Sequence, residues 1–556
     1  MLELYCWFMM FLDYIYLLCV YLFFFFFFFM MMYLYIGSLS MLISCSYVFM
    51  YMKDLLLDFS FLFDSCCFSV AGLVSFISFV VIIYINYYMI QDLNYILFLN
   101  LVYIFVLGML LFLFSSNIFS VLFGWDALGF VSYLLVIYFN NLKSLNSGVY
   151  TIMMNRVGDY FILMSLGLSI YIGSFDFMSS YLVEGSMSMF ILFLVLLGSM
   201  TKSAQLPFSS WLPKAMMAPT PVSSLVHSST LVVAGIFLVS RIVDDLYMLK
   251  YLILFFSFLT GFLSSFKMFY ECDLKKLVAM TTLIQLSFMM LSLGFGMKFM
   301  SLYHLMLHAI YKSILFMSSG YLIYISFNNQ NVYYNYGGSL NCPLFVSLFI
   351  LMNLSSLGFP FFGGFYSKDM ILGLLFMTDF NLFFLYIFLM IIFFTVLSSL
   401  RMLDFIFYIS VYNFKVKVSL LSMNFVLYLF SFFMLFSGFM FSWNFNNFEL
   451  LDLVFWVKFS SIYMLLIGFS MYCVLICINY DFFFFIYLLN IIFLEYLYSY
   501  YTYYMFIDTF FSLGYLDSWI NKILYVDFLD CVKSFMLKVN WMVFFGMSLL
   551  VLFFYL

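Results

Sequence analysis

The chain has few charged side chains. Asp, Glu, Lys and Arg together make up 8% of its 556 residues, whereas a soluble globular domain carries roughly 25%. Hydrophobic residues make up 67%, and the net charge is only −5, which is too small to indicate a nucleic-acid partner. Water is therefore not the main solvent of this protein, and we expect a polytopic membrane protein.

Patterns that hold metals or redox groups are also missing. The ten cysteines include no C-x-x-C pair, so neither a zinc site nor an iron–sulfur cluster is indicated. Three histidines are too few for a multi-haem protein. Because there is also no Gly-rich phosphate loop and no nucleophile paired with a base, we expect no metal and no cofactor in this chain.

Long hydrophobic runs predict an all-α fold of about sixteen transmembrane helices, since about 20 apolar residues cross roughly 30 Å of hydrocarbon. No clear loop separates the first two runs, and residues 481–504 are apolar enough for a further span. The predicted spans lie near 4–28, 29–52, 66–88, 96–115, 117–139, 150–172, 188–219, 220–241, 249–267, 274–294, 300–324, 345–378, 381–403, 419–440, 460–480 and 541–556.

Two of the predicted helices contain Pro and Gly in their middle. The first is interrupted at residues 202–207 and the second at residues 358–364. Pro and Gly break helices, and the freed backbone groups are tolerated at membrane depth only where they line a protein-lined or wet cavity. Paired broken helices indicate an inverted-repeat transporter with its site at mid-membrane. We therefore predict two five-helix repeats, near 96–241 and 249–403.

Several ionisable residues fall inside apolar runs. Each costs about 2.5 to 3.5 kcal/mol at the centre of a membrane helix and is therefore a functional candidate. His304, His308 and Lys312 are spaced to share one helical face. The candidates are Asp126, Asp159, Lys202, His227, His304, His308, Lys312 and Lys368.

Such residues suit proton transfer. Burial lowers the pKa of a lysine and an approaching carboxylate raises it again, so moving one charge makes the lysine take up or release a proton. Histidines and waters between lysines can serve as relay stations. Structural interpretations remain open: any one lysine could be an ion-pair partner or reach to the interface, and Asp159 could simply pair with Arg156. Charges at 273–276 sit at a predicted loop–helix junction, where solvated charges are ordinary.

Motifs along residues 60–403 resemble chain 5 of NADH:ubiquinone oxidoreductase, in the order that this family has them. They are Gly124-Trp125-Asp126, Asn155-Arg156-Val157-Gly158-Asp159, Lys202-Ser203-Ala204-Gln205, Trp211-Leu212-Pro213, Pro219-Thr220-Pro221-Val222-Ser223, His227-Ser228-Ser229-Thr230, Asp273-Leu274-Lys275-Lys276 and Gly364-Phe365-Tyr366-Ser367-Lys368-Asp369. The resemblance implies a core, antiporter-like, proton-translocating subunit of respiratory complex I in the mitochondrial inner membrane.

The resemblance also implies partners and cofactors. NADH, FMN, iron–sulfur clusters and ubiquinone would be bound by other subunits, and this chain would have no redox centre. Expected partners are the neighbouring antiporter-like chain 4, accessory subunits and lipids such as cardiolipin.

Roles for single residues follow from the same resemblance. Asp126 and Lys202 would form the ion pair of the first half-channel, Lys312 would be the central lysine, and Lys368 would serve the exit side. The three histidines 227, 304 and 308 would fill the relay positions. Because Asp126 stands where the family usually has glutamate, its contact with Lys202 is expected to be longer or mediated by water.

The remaining segments complete the predicted organisation: N-terminal transmembrane helices over 1–95, C-terminal transmembrane helices and a connector over 404–512, a lateral helix over 513–540 and a last span over 541–556. The lateral helix is predicted because apolar and charged residues after Lys522 fall on separate faces. The resemblance implies that it clamps a neighbouring antiporter-like subunit.

Two rival functions remain at this point. A subunit of a cation/proton antiporter would carry the same lysines. A structural membrane anchor would use its polar residues only to lock helices together, and it would tolerate neutral substitution of Lys202 and Lys312.

Overall fold

The computed structural model describes residues 2–39, 42–52, 55–89, 92–172, 186–242, 249–268, 271–326, 328–332, 343–377, 382–407, 428, 430–433, 437–438 and 460–477. Most of the predicted span 419–440 lies outside the described residues. So do the stretch 481–504, the predicted lateral helix 513–540 and the predicted last span 541–556.

The chain begins with one long helix followed by a β-hairpin. Helix α1 covers Leu2–Leu39, and strands β1 (Ile43–Met52) and β2 (Leu55–Phe63) pair antiparallel. The prediction of a second helix over 29–52 is therefore wrong. Its second half alternates apolar residues with Ser44 and Ser46 and is rich in β-branched and aromatic side chains, which favours a strand.

The remaining regular elements of the described chain are helices, joined by turns and loops. The first group is α2 (Ser65–Tyr88), α3 (Tyr95–Phe114), α4 (Ile118–Ile137), α5 (Leu142–Ile172), α6 (Ser186–Lys202), α7 (Trp211–Ala215) and α8 (Thr220–Ile242). The second group is α9 (Lys250–Met268), α10 (Leu274–Gly294), α11 (Lys298–Ile325), α12 (Pro343–Leu357), α13 (Gly363–Met377), α14 (Leu382–Phe407) and α15 (Ser460–Cys477).

Both predicted helix breaks are confirmed. Helix α6 ends at Lys202, and α12 ends at Leu357. The second break is a glycine C-cap: Gly358 has φ 87°, and the N–H of Phe359 donates to the carbonyl of Leu354 at 3.1 Å. This pattern satisfies carbonyls at the helix end and requires a left-handed residue, which glycine adopts without a Cβ clash.

Among the described residues, seven helices are long and apolar enough to cross a membrane. They are Leu17–Gly37 within α1, α2, α3, α4, α8, α9 and α10, and shorter apolar helices lie at Met187–Lys202, Phe345–Leu357 and Ser460–Tyr472. The chain is thus a multi-pass helical membrane protein, while the number of sixteen spans stays a prediction.

Helices α8, α10 and α11 form the buried centre of this helical bundle. Nearly every residue of α8 and α10 is buried, and α11 is buried from Met300 to Gly320. At Gly235 of α8, an added Cβ would lie 2.5 Å from the Ser199 carbonyl oxygen, so α8 and α6 meet at backbone distance. This close approach places the end of α6, with Lys202, against the centre.

Candidate functional site

Lys202 is the last residue of α6 and is fully buried. Its Nζ donates a hydrogen bond to the Trp125 carbonyl oxygen at 2.6 Å and lies 3.8 Å from the centroid of the Trp125 ring. A cation is favourable at the C-terminal end of a helix and over an indole face. Trp211 fixes the break itself, because its indole N–H donates to the Thr201 carbonyl at 2.8 Å.

The two aspartates of this region contact Arg156 of α5. Arg156 lies 3.1 Å from Asp159 and 3.9 Å from Asp126. A direct ion pair between Asp126 and Lys202 is therefore not present within 4.0 Å in the described part of the chain. Asp126 lies instead within ion-pair distance of Arg156. The absence of a direct contact agrees with the longer or water-mediated contact expected for the shorter aspartate, and the role of the Asp126–Lys202 pair stays a prediction.

His227 lies in a π-helical segment, Ser223–Thr230, inside α8. Hydroxyl groups bond back to the helix here: Ser229 and Thr230 both donate to the Leu225 carbonyl, at 2.8 and 2.9 Å. Such bonds compete with the regular ladder, and π segments often occur at functional sites. The imidazole is buried, and neither ring nitrogen has a hydrogen-bond partner among the described residues. The sequence did not reveal the π turn, although the Ser/Thr-rich run was its signal.

His304, His308 and Lys312 lie on one buried helix, α11, as the spacing predicted. The Lys312 ammonium donates to the Thr281 hydroxyl of α10. His304 binds the Ser367 hydroxyl at 2.7 Å through Nδ1 and the Gln285 side-chain oxygen at 3.1 Å through Nε2. One nitrogen can thus accept while the other donates, which fits a neutral imidazole.

Lys368 follows the second break and is buried. Its Nζ donates to the carbonyls of Ser356 and Leu357, at 2.5 and 3.3 Å. These carbonyls belong to the last turn of α12, which has no following turn to satisfy them. The break therefore supplies the acceptors that hold Lys368.

A polar network joins the residues around the second break. The Gln285 amide donates to the Ser356 carbonyl at 3.1 Å, so one carbonyl accepts from both Gln285 and Lys368. Next to it lies a cavity of about 10 Å³, close to the space that one water molecule needs. The cavity is lined by Thr281, Ile284, Gln285, Ser356, Leu357, Thr395 and Ser399.

Sequence reasoning missed the neutral residues of this network and also misjudged one lysine. Asp273 and Lys276 form a partly exposed ion pair at 2.8 Å, as expected at a helix start. Lys275, however, is 4% exposed and donates to the Ala218 carbonyl at 3.0 Å. The solvated interpretation is wrong for Lys275 because its side chain points between α10 and the segment that precedes α8.

The eight sequence-derived candidates therefore fall into separate neighbourhoods. Lys202, Asp126 and Asp159 lie around α4, α5 and α6, while His304, Lys312 and Lys368 lie around α10 to α13. Within the described ranges, no group of three or more His, Cys, Asp or Glu side chains could hold a metal ion. Lysine, histidine and aspartate side chains can each bind and release a proton, so the arrangement is suited to proton transfer.

Comparison with known proteins places the chain in one family of membrane proteins. Residues 115–398, about half of the chain, match the family described as NADH:quinone oxidoreductase/Mrp antiporter, TM. The chain is 40% identical over 337 residues to NADH-ubiquinone oxidoreductase chain 5 of Anopheles arabiensis, covering 60% of this chain and 88% of that one. For chain 5 of Aedes aegypti the identity is 40% over 333 residues, covering 59% of this chain and 57% of the relative. For chain 5 of Caenorhabditis elegans the identity is 40% over 358 residues, covering 64% of this chain and 66% of the relative.

Solved structures show the same fold. A chain of the Mrp complex from Dietzia sp. superposes with a TM-score of 0.69 at 19% identity, covering 91% of this chain and 59% of that chain. A chain of an archaeal membrane-bound sulfane sulfur reductase superposes with a TM-score of 0.62 at 18% identity, covering 73% and 83%. At these identities the likeness concerns the fold alone.

Proposed function

Because the chain belongs to the NADH:quinone oxidoreductase/Mrp antiporter family and, within it, to the chain 5 proteins of NADH-ubiquinone oxidoreductase, we propose that it translocates protons as a membrane subunit of respiratory complex I. The energy comes from electron transfer between NADH and ubiquinone in other subunits. These subunits hold FMN and the iron–sulfur clusters, and this chain contributes no redox centre. The complex resides in the mitochondrial inner membrane.

One observation carries the proposal: the three buried lysines among the sequence-derived candidates are held by uncharged acceptors. Lys202 binds a backbone carbonyl, Lys312 a threonine hydroxyl and Lys368 two backbone carbonyls. A structural ion pair would place a carboxylate on each ammonium, because a buried charge without a partner is costly. A lysine on a neutral acceptor can instead lose its proton without leaving an unpaired anion. This favours proton transfer over a structural anchor.

The order of groups along the chain supports a path with two parts. In the first part Lys202 takes up or releases a proton as the carboxylates of Asp126 and Asp159 move relative to it. His227 continues the path in the π segment. In the second part Lys312, His308, His304 and Lys368 carry protons toward the exit side. Water and the hydroxyl-lined cavity join them through Thr281 and Ser356.

Partners follow from the same proposal. We expect the neighbouring chain 4, accessory subunits and cardiolipin to contact this chain in the assembled complex. The rival is a subunit of a multi-chain cation/proton antiporter, for which the same lysines would serve. Copurification in mild detergent separates the two functions: flavin and iron–sulfur subunits accompany this chain in complex I and are absent from an antiporter.

Substitution of Lys312 tests the function itself. The assembled complex carrying Lys312→Met is reconstituted into vesicles, and NADH oxidation and proton uptake are measured together. We expect proton translocation to fall by roughly a hundredfold or more, the lower range for a positioned acid–base group. Lys143→Met is the matched control, because this lysine is exposed on α5. Normal translocation by the Lys312 variant would refute the proposed function.

A further inference from the structure

Tyr311 is a fully buried tyrosine on α11 whose hydroxyl group has no hydrogen-bond partner among the described residues. Tyrosines of a membrane protein usually face lipid or a neighbouring helix with the hydroxyl at an interface. A buried hydroxyl without a partner is destabilising, and such groups in folded proteins call for a specific explanation. Packing alone would be served equally well by phenylalanine, so the oxygen of Tyr311 needs another role.

The His308 ring lies next to the Tyr311 ring. The His308 and Tyr311 ring centroids are 5.5 Å apart with an interplanar angle of 85°. His308 is also fully buried, and both of its ring nitrogens are without a hydrogen-bond partner in the described structure. Two adjacent side chains therefore present three buried polar atoms that no described protein group satisfies.

Tyr311 also lies near the central lysine. The Lys312 Nζ is 6.0 Å from the centroid of the Tyr311 ring. Tyr311 follows His304 by seven residues and His308 by three, so it continues the helical stripe of the histidines. This stripe lies in the buried centre, where α11 packs against α10 and the π segment of α8.

The chemistry of the three atoms is complementary. A neutral imidazole has one donor and one acceptor nitrogen, and a phenol can donate and accept at the same oxygen. One water molecule needs two to four polar partners, and these groups supply them. The arrangement therefore fits a hydrogen-bonded chain that runs from His308 through a water to the Tyr311 oxygen.

We propose that the Tyr311 hydroxyl is a further proton-carrying group of this chain, exchanging protons with His308 through a bound water. The inference rests on the proposed function. In each transfer the tyrosine oxygen accepts a proton from the water beside His308 and releases its own proton toward the neutral Lys312 amine, or the reverse, so the phenol is unchanged. His308 likewise takes up a proton on one nitrogen and releases one from the other, and the water passes on one proton for each that it receives.

Tyr303 offers a matched control on the same helix. It is 1% exposed, and its hydroxyl donates to the Gly438 carbonyl at 2.8 Å. Tyr303→Phe removes a satisfied hydroxyl, and Tyr311→Phe removes an unsatisfied one, while both leave the ring in place. A structural role would make Tyr303→Phe the more damaging change, whereas a proton-carrying role makes Tyr311→Phe the more damaging one.

The experiment compares the assembled complex with Tyr311→Phe, Tyr303→Phe and Lys312→Met after reconstitution into vesicles, with thermal unfolding measured for each. We expect Tyr311→Phe to slow proton translocation about tenfold, less than the roughly 10²-fold to 10⁴-fold effect of a positioned acid–base group because water can partly replace the hydroxyl. Its thermal midpoint should equal or exceed that of the unchanged complex. Tyr303→Phe should translocate protons within twofold of the unchanged rate.

Each other outcome overturns the inference. If the Tyr311→Phe complex translocates protons within twofold of the unchanged rate, the hydroxyl is not part of the proton path. Equal losses in the two tyrosine variants, or failure of Tyr311→Phe to assemble, assign Tyr311 a structural role. Lys312→Met separates the two proposals: if it is inactive while Tyr311→Phe is active, only the inference about Tyr311 fails.

Discussion

Lys368 of α13 reaches across the break and donates a hydrogen bond of 2.5 Å to the Ser356 carbonyl, at the C-terminal end of α12. A positive charge is stabilised at this end of a helix by the exposed carbonyls and the macrodipole. The broken helix and the buried lysine thus depend on each other. A continuous helix would satisfy the same carbonyls internally and leave the ammonium without acceptors.

Gly358→Ala tests this dependence. Gly358 has φ 87°, and an added Cβ would lie 3.1 Å from Lys368 Cδ. A left-handed conformation costs a residue with a Cβ about 1 to 2 kcal/mol. We expect a lower thermal midpoint together with slower proton translocation, measured on the reconstituted complex.

The control for that change is Gly167→Ala. Gly167 lies in α5, and an added Cβ would meet nothing within 4 Å. Alanine at a helical position should leave stability equal or raise it by up to about 1 kcal/mol. Equal behaviour of the two variants would disprove the special role of the glycine cap.

Lys202→Arg separates proton transfer from a purely structural charge. Arginine keeps the positive charge, can still donate to the Trp125 carbonyl and does not release its proton in proteins. We expect normal assembly but a loss of proton translocation of roughly a hundredfold. If Lys202→Arg translocates normally while Lys202→Met does not, the lysine acts as a fixed charge.

Asp126 should tolerate a longer carboxylate but not a neutral amide. Asp126 lies 3.9 Å from Arg156, at the longer limit of an ion pair. Asp126→Glu extends the carboxylate by one methylene and should retain translocation. Asp126→Asn removes the charge that acts on Lys202. It should slow proton translocation about tenfold, which corresponds to about 1.4 kcal/mol. Proton uptake at constant NADH oxidation measures both, and a fully active Asn variant would contradict the role.

Gly235→Ala should disturb the end of α6 from a distance. The new Cβ would lie 2.5 Å from the Ser199 carbonyl oxygen and 2.7 Å from the Ser203 nitrogen. Overpacking of this kind costs about 1 to 3 kcal/mol. Thermal unfolding should show a lower midpoint. Adding Ser199→Gly should not restore the midpoint, because the new Cβ clashes with backbone atoms and not with the Ser199 side chain.

The sequence predicted those features that have a local cause. Pro and Gly mark both breaks, and the apolar surroundings of Lys202, Lys312 and Lys368 mark the buried lysines. Partner identity depends instead on which helices meet in space. For this reason the Trp125 carbonyl at Lys202 and the pairing of Asp126 with Arg156 could not be read from the chain. The missed hairpin differs: the alternation at 43–49 was visible but was outweighed by overall hydrophobicity.

The hairpin changes the membrane topology of everything before α2. Two crossings before α2 would return the chain to the side on which α1 begins. The structure has one helix, α1, and a hairpin whose strands turn back between Met52 and Leu55. An open sheet edge does not lie within hydrocarbon, so we expect α1 alone to cross and to begin on the opposite side from the start of α2. Only the segment before α2 changes its orientation, and we expect a label at the exposed Cys45 to report the same face as the beginning of α2.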